Sequence, residues 1–227
     1  QFASRAAHSS KATITRSKLL LTRKRKSNKM DTRDKIIETA FIGFLENGYD
    51  NISLNEIVKR TGMTKGAFYY YFTNKEQLIS ETVEKYLHSF ISAYGDSVIA
   101  SDISAKDTLF AMSDLFANMF GVVSGQIDLQ VDARRFYSLF ISALSLNKGV
   151  NQSNIITQAD LKNKVRMVIV KGIQNGEFKQ ELDVEEIVFI FTSMLHGILF
   201  DWVNDEKMEL SPSLKKGITA LVNLIST

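Results

Sequence analysis

The chain has 227 residues, 28 Lys plus Arg against 25 Asp plus Glu, and a formal charge of +3. It has no Cys, three scattered His and a single Pro among 44% hydrophobic residues. That excludes a disulfide framework, a thiolate metal site and a Cys nucleophile, and it argues against a His-built metal site or a Pro/Gly-rich sandwich. No uninterrupted apolar run approaches the ~18 residues of a membrane span. The composition suits a compact all-α protein of one large or two smaller domains in a reducing cytoplasm, with no metal and no cofactor.

The charge is unevenly spread. Residues 1–29 hold nine basic residues and no acid, and from Met30 onward the chain carries −6. Thr22 to Lys29 is a solvated charge run, and Leu19-Leu20-Leu21 is too short for the apolar core of ~7 residues that a secretory signal needs. Residues 1–29 are expected to be non-native or disordered sequence ahead of a start at Met30. Their Arg/Ser-rich, acid-free composition also mimics a transit peptide, and a native basic arm would add non-specific phosphate attraction.

From Asp31 to Asn47, Ile36, Ile37, Ala40, Phe41, Phe44 and Leu45 recur at helical spacing, with Asp31 and Asp34 in the first turn and Gly48 as the stop. Ser53-Leu54-Asn55-Glu56 has the form of a capping box opening a helix to about Arg60. Gly62 supplies the turn, Thr64 caps a short helix over Lys65 to Tyr71, and Thr73 or Asn74 caps another. Long amphipathic helices are then predicted near 74–95, 104–122, 128–147, 155–175, 183–204 and 212–226. The breaks between them fall at Gly95–Asp102, Gly121–Gly125, Lys148–Asn154, Gly176–Leu182 and Asp205–Pro212. Gly172 and Gly197 lie inside helical patterns, which costs ~1 kcal/mol each against Ala and suggests close packing.

The informative stretch is residues 53–72, SLNEIVKRTGMTKGAFYYYF. Helix, Gly turn, helix within twenty residues is a helix-turn-helix, whose second helix enters the major groove and reads bases from its N-terminal residues. Those residues are Thr64, Lys65, Gly66 and Ala67. Lys65 can donate to guanine O6 or N7, Thr64 can bond a base edge or a phosphate, and Ala67 can touch a thymine methyl. Gly66 keeps a side chain out of the way, and the phenols of Tyr69, Tyr70 and Tyr71 and the helix start at Lys75 are phosphate donors. Tyr69, Phe68 and Phe72 can equally be core aromatics, and Lys65, Tyr70 and Lys75 ordinary solvated side chains. Residues 30–78 carry six basic and seven acidic residues, so DNA affinity must come from placement and from dimer avidity rather than from total charge.

The segment resembles the DNA-binding domain of the TetR family of transcriptional regulators. The resemblance rests on Ile57, Val58, Thr61 to Gly66, Phe68-Tyr69, Tyr71-Phe72, Asn74-Lys75-Glu76 and Leu78, and it extends over about 31–91. Thr61 and Met63 depart from the usual Ala and Val. The resemblance implies DNA contacts from Ser53, Thr64, Lys65, Gly66, Ala67, Tyr69, Tyr70, Tyr71 and Lys75. It also implies a helical effector-binding and dimerisation domain over 92–227.

In that region, 13 basic and 18 acidic residues over 79–227 argue against nucleic-acid contact. Most of its many aromatic and Met residues must be plain core. An effector pocket is nevertheless implied, with Phe116, Asn118, Met119, Phe120, Tyr137, Phe140, Thr192 and His196 as candidate lining and Ser138 and Ser142 as further polar handles. The dimer face is expected on Ile187, Ile190, Phe191, Met194, Leu195, Ile198 and Leu199, and on Leu214, Ile218, Leu221, Val222 and Ile225.

The expected function is a homodimeric repressor on a near-palindromic operator, released by a small, largely apolar effector through the helix at 74–95. No nucleophile elbow, phosphate loop or metal spacing supports an enzyme. A helical adaptor that merely retains the motif is the competing non-enzymatic reading.

Overall fold

The computed structural model describes residues 31–127 and 132–227, apart from the side chains at 89, 90, 92–94, 120, 122–127 and 146. The chain divides into residues 1–35 and 36–227. Of the first unit only 31–35 are described; Asp31 O there accepts the Lys35 amide at 3.0 Å, the first turn of a helix. The contacts that follow belong to the second unit.

Among the described residues the fold is all-α, with one isolated bridge between Phe178 and Ser226. In chain order the helices are α1 (Thr32–Asn47), α2 (Leu54–Thr61), α3 (Lys65–Tyr69), α4 (Lys75–Val83), a π-helical turn (Glu84–His88), α5 (Ser89–Ile99), α6 (Ala105–Ile127), α7 (Ala133–Leu146), α8 (Lys148–Gln174), α9 (Val184–Asn204) and α10 (Leu210–Ile225). The expected leader at 1–29 and the expected helix start at 128 lie outside the described residues.

Four expected breaks are displaced from where composition put them. Helix α6 runs through Gly121 and Gly125 to Ile127, because a helical Gly costs only ~1 kcal/mol against Ala. Helix α8 begins at Lys148, since Asn147 caps it by accepting the Val150 amide at 3.0 Å. Helix α5 passes through Gly95, where an added Cβ would meet the Lys164 side chain at 3.2 Å. Lys164 is buried there, bonded to Asp96 at 2.9 Å and to Asp160, which joins α5 to α8. Helix α10 starts at Leu210, leaving Pro212 in its first turn, where no intrahelical donor is lost.

Helix α8 is the hub, touching α4, the π turn, α5, α6, α7 and α9. Its Gly172 permits a close approach: a Cβ there would lie 2.1 Å from the Phe178 ring and 2.9 Å from the Ala105 methyl. Glu177 in the same corner accepts the Ala105 and Lys106 amides at 3.0 and 3.1 Å and so caps α6 from a distant loop. Gly197 has no such neighbour within 4 Å, so the chain itself does not need it.

Helix α9 is long and apolar enough by length and composition to cross a membrane. One face of it, carrying Ile187, Val188, Phe191, Leu195, Leu199 and Trp202, is buried against the rest of the fold, as in a core helix. Arg134 lies over the Trp202 ring at 4.7 Å and donates to the carbonyls of Asp205, Glu206 and Met208, closing the turn before α10.

Candidate DNA interface and core cavity

The head is built from local chemistry. Ser53 Oγ accepts the Glu56 amide at 3.2 Å, which opens α2. Only half of the capping box forms, because the Glu56 carboxylate turns to Arg60 at 3.2 Å while Arg60 also holds Glu46 at 2.6 Å. Gly62 takes φ +71°, and its amide returns to Lys59 O at 3.2 Å; this left-handed residue sets the angle between α2 and α3. Thr64 Oγ1 accepts the Ala67 amide at 3.3 Å and Asn74 Oδ1 the Gln77 amide at 2.7 Å, so α3 and α4 are each capped from their own sequence.

Burial then sorts the aromatic run. Phe68 and Phe72 are fully buried beside Ile57 and Val58, holding α3 onto α2. Tyr69 is 45% exposed and Tyr70 84%, so neither is a core residue. Ser53, Thr64, Lys65, Gly66 and Ala67 are exposed as well. Tyr71 is half-buried and edge-on to Tyr70 at 5.1 Å, and the Lys75 ammonium lies 4.3 Å over the Tyr49 ring. Apart from Ser53, which stands at the start of α2, the expected contact residues therefore occur together around α3 and the start of α4.

The head is joined to the helices behind it by a residue the sequence reading passed over. Asn147, buried, caps α8, donates from Nδ2 to Glu76 O at 2.8 Å and accepts from Ser80 Oγ at 3.0 Å. Gly149 makes room for this: a Cβ there would meet Ser80 Oγ at 2.5 Å. An Asn followed by an apolar residue three positions on was the available signal. Replacing Asn147 by Ala removes the α8 cap together with the second bond on the Glu76 carbonyl and the bond to Ser80. We expect a loss of about 1–2 kcal/mol, read as a lowered urea midpoint.

The π turn is a second joint. A π-helical segment is a local register fault common at functional sites. Here it turns Tyr86 onto Phe41 of α1 (4.3 Å, stacked) and His88 onto Phe140 of α7 (6.0 Å, edge-on).

His88 belongs to a small, partly open cavity of about 40 Å³ between the helices. Phe116, Met119, Tyr137, Phe140 and His196 from the expected set line it, joined by Leu87, His88, Ile91, Asn154, Thr157, Gln158 and Leu199. Two expected members do not. Asn118 is exposed and bonded to Asp114 O at 2.7 Å; Thr192 is buried with its hydroxyl on Val188 O at 3.0 Å. The Phe120 side chain lies outside the described set. Ser138 and Ser142 line a different, open cleft of about 500 Å³ with charges of both signs, among them Glu46, Asp50, Asp132, Arg134 and Arg135.

Most of the expected dimer-face side chains are turned inward in the single chain. Ile187, Phe191, Leu195, Leu199, Leu214, Ile218, Leu221, Val222 and Ile225 are buried within the chain. Met194 and Ile198 pack at Gly217 of α10, where a Cβ would meet each at 2.9 Å. Periodicity identified an apolar face, and α9 and α10 spend it inside the chain, α9 on α8 and α10, and α10 on α6 and α9. The large apolar side chains that reach solvent on these helices are Phe189 (68%), Ile190, Phe200 (63%) and Leu224.

An exposed α3 held by a buried Phe pair behind a left-handed Gly turn defines a helix-turn-helix DNA-binding protein. Residues 36–82 match the model of the bacterial regulatory proteins, tetR family. The Transposon Tn10 TetC protein of Escherichia coli is 39% identical over 152 residues, 67% of this chain and 71% of that one. The fatty acid metabolism regulator protein of Bacillus subtilis is 27% identical over 177 residues, 78% of this chain and 86% of that one. A TetR-family regulator from Cytophaga hutchinsonii has the same fold, with a TM-score of 0.68 at 22% identity, over 89% of this chain and 99% of that one. The chain belongs to the TetR family of transcriptional regulators. Its relatives are regulators, not enzymes.

Proposed function

We propose that this regulator is a cytoplasmic repressor that binds a near-palindromic operator as a homodimer and is released by a small molecule entering the core cavity. The observation that carries the DNA half is the exposure of Thr64 to Ala67, Tyr69 and Tyr70 together, on a helix whose inner side is fully buried Phe. Two such helices one DNA turn apart, ~34–36 Å, require a two-fold dimer.

The dimer face is the outward stripe of α9: Phe189, Ser193, His196, Gly197 and Phe200 recur at helical spacing and all reach solvent. Gly197, with nothing of its own chain nearby, fits the close approach of a second copy.

Release follows from connectivity. The cavity is too small for a drug-sized molecule, so an effector must displace its walls. Two of those walls, Leu87 and His88, sit in the π turn that continues directly into α4. Widening the cavity moves the rod that carries Lys75 and receives Asn147, and so changes the spacing of the two heads. Such coupling is typically ~1–3 kcal/mol.

The test is fluorescence anisotropy with palindromic DNA from the neighbourhood of its own gene at low salt, alongside light scattering for mass. Dimer-sized protein that binds, and a Phe200→Glu variant that runs as monomer and binds weakly, are expected. Absence of binding to every such fragment overturns the reading.

A further inference from the structure

Two polar atoms in the cavity wall are buried without a partner: His88 Nε2 and Gln158 Oε1. The hydrogen bonds around the His88 ring decide what each can accept. Ser153 Oγ donates to Glu84 Oε2 at 2.5 Å, which leaves that hydroxyl only lone pairs for the imidazole. His88 Nδ1 lies 2.9 Å from Ser153 Oγ and 3.2 Å from Glu84 Oε2. Both are acceptors, so Nδ1 carries the hydrogen and Nε2 of the neutral ring presents a bare lone pair. Burial pushes the His88 imidazole below its ordinary range despite Glu84, which keeps it neutral. Gln158 Oε1 is an acceptor too.

The remaining wall is mostly apolar or aromatic, from Leu87, Ile91, Phe116, Met119, Tyr137, Phe140 and Leu199. Asn154, Thr157 and His196 are further polar members, Thr157 already donating its hydroxyl to Ser153 O at 3.1 Å. Neither Lys nor Arg, and neither Asp nor Glu, stands among the described lining residues. An anion would meet the two lone pairs with only the neutral donors of Tyr137, Asn154 and His196 and no Lys or Arg to balance its charge, and a cation would be stripped of water with no carboxylate in contact. A neutral molecule with no donor would leave both acceptors unsatisfied.

We propose that the cavity takes an uncharged effector with an apolar body and a hydroxyl that donates to His88 Nε2 or Gln158 Oε1, and that it rejects carboxylates of the same shape. This rests on the reading of the core as effector-responsive and specifies the chemistry of that site. Met119, unbranched and flexible, is the wall suited to yield as the body enters.

The test is calorimetric titration of the full chain with three molecules sharing one body: 4-ethylphenol, 4-ethylanisole and 4-ethylbenzoate. The phenol is expected to bind ~10-fold or more tightly than the other two. Gln158→Leu and His88→Phe, each checked for folding by circular dichroism, are expected to shrink the preference for phenol over anisole to within a few-fold. Equal binding of phenol and anisole, tighter binding of benzoate, or no binding of any of the three overturns the proposal. So does a preference that survives both substitutions. Operator binding by the same preparation is read separately, so loss of the effector class leaves the DNA reading standing and failure on DNA is recognised on its own.

Discussion

Lys65→Ala combined with Tyr70→Ala is expected to lower operator affinity by ~100-fold or more while leaving the urea unfolding midpoint unchanged. Both side chains are exposed, Tyr70 at 84%, and neither belongs to the buried Phe68 and Phe72 layer, so the fold does not register their loss. A good base or phosphate contact is worth ~1–3 kcal/mol, and a dimer loses each contact twice. The salt slope of binding should also fall by roughly one per Lys removed from phosphate.

Gly66→Ala makes the complementary case. A Cβ at Gly66 meets nothing within 4 Å and φ there is not positive, so the chain gains helix propensity and keeps its shape. Weakened DNA binding in that variant, measured by anisotropy, would place DNA backbone against the bare Cα. Unchanged binding in both variants would remove α3 from the interface.

Phe41→Ala is expected to cost about 3–5 kcal/mol, read from urea denaturation, because a fully buried ring is replaced by a void. The Phe41 ring stacks on Tyr86 of the π turn at 4.3 Å and stands edge-on to Phe136 of α7 at 5.4 Å. It therefore joins the first helix of the reading head to both the rod and the helices behind it. In whatever fraction of the variant stays folded, effector should release DNA less completely, since the ring is one of the contacts through which the π turn can push on α1. A loss under 1 kcal/mol would mean that the site collapses around the missing ring.

The head was legible in the sequence because its determinants are local. Ser53, Thr64 and Asn74 cap their own helices, and Gly62 sets the turn angle by its own φ. Whether Tyr69 faces in or out could not be read, since helical spacing in five residues gives too little phase, and burial settled it.

Behind the head, the signals are tertiary. The polar run KGVNQSN at 148–154 has no apolar stripe, yet it is helical because Asn147 caps it and α4 packs on it. The π turn is a fault of register within an ordinary apolar pattern and leaves no compositional trace. Amphipathicity showed that α9 and α10 have partners but could not say that α9 packs chiefly on α8 and α10 chiefly on α6, with their mutual contact smaller than either. The cavity was found in part through its aromatics. His88, Asn154 and Gln158, which give it polarity, sit in helical surroundings where neither spacing nor composition marks them.

The Asn147 bracket bears on how portable this reading head is. The expected division at residue 91 falls inside α5, and the Asn147 side chain that holds Glu76 and Ser80 of α4 comes from beyond it, at the corner between α7 and α8. A chimera that grafts residues 31–91 onto a foreign sensor would therefore arrive with the Glu76 carbonyl and the Ser80 hydroxyl facing whatever that sensor offers. An Asn-x-Gly pair at the matching corner would make a recipient compatible, and its absence would leave the graft loosely held even where every residue of the motif had been kept.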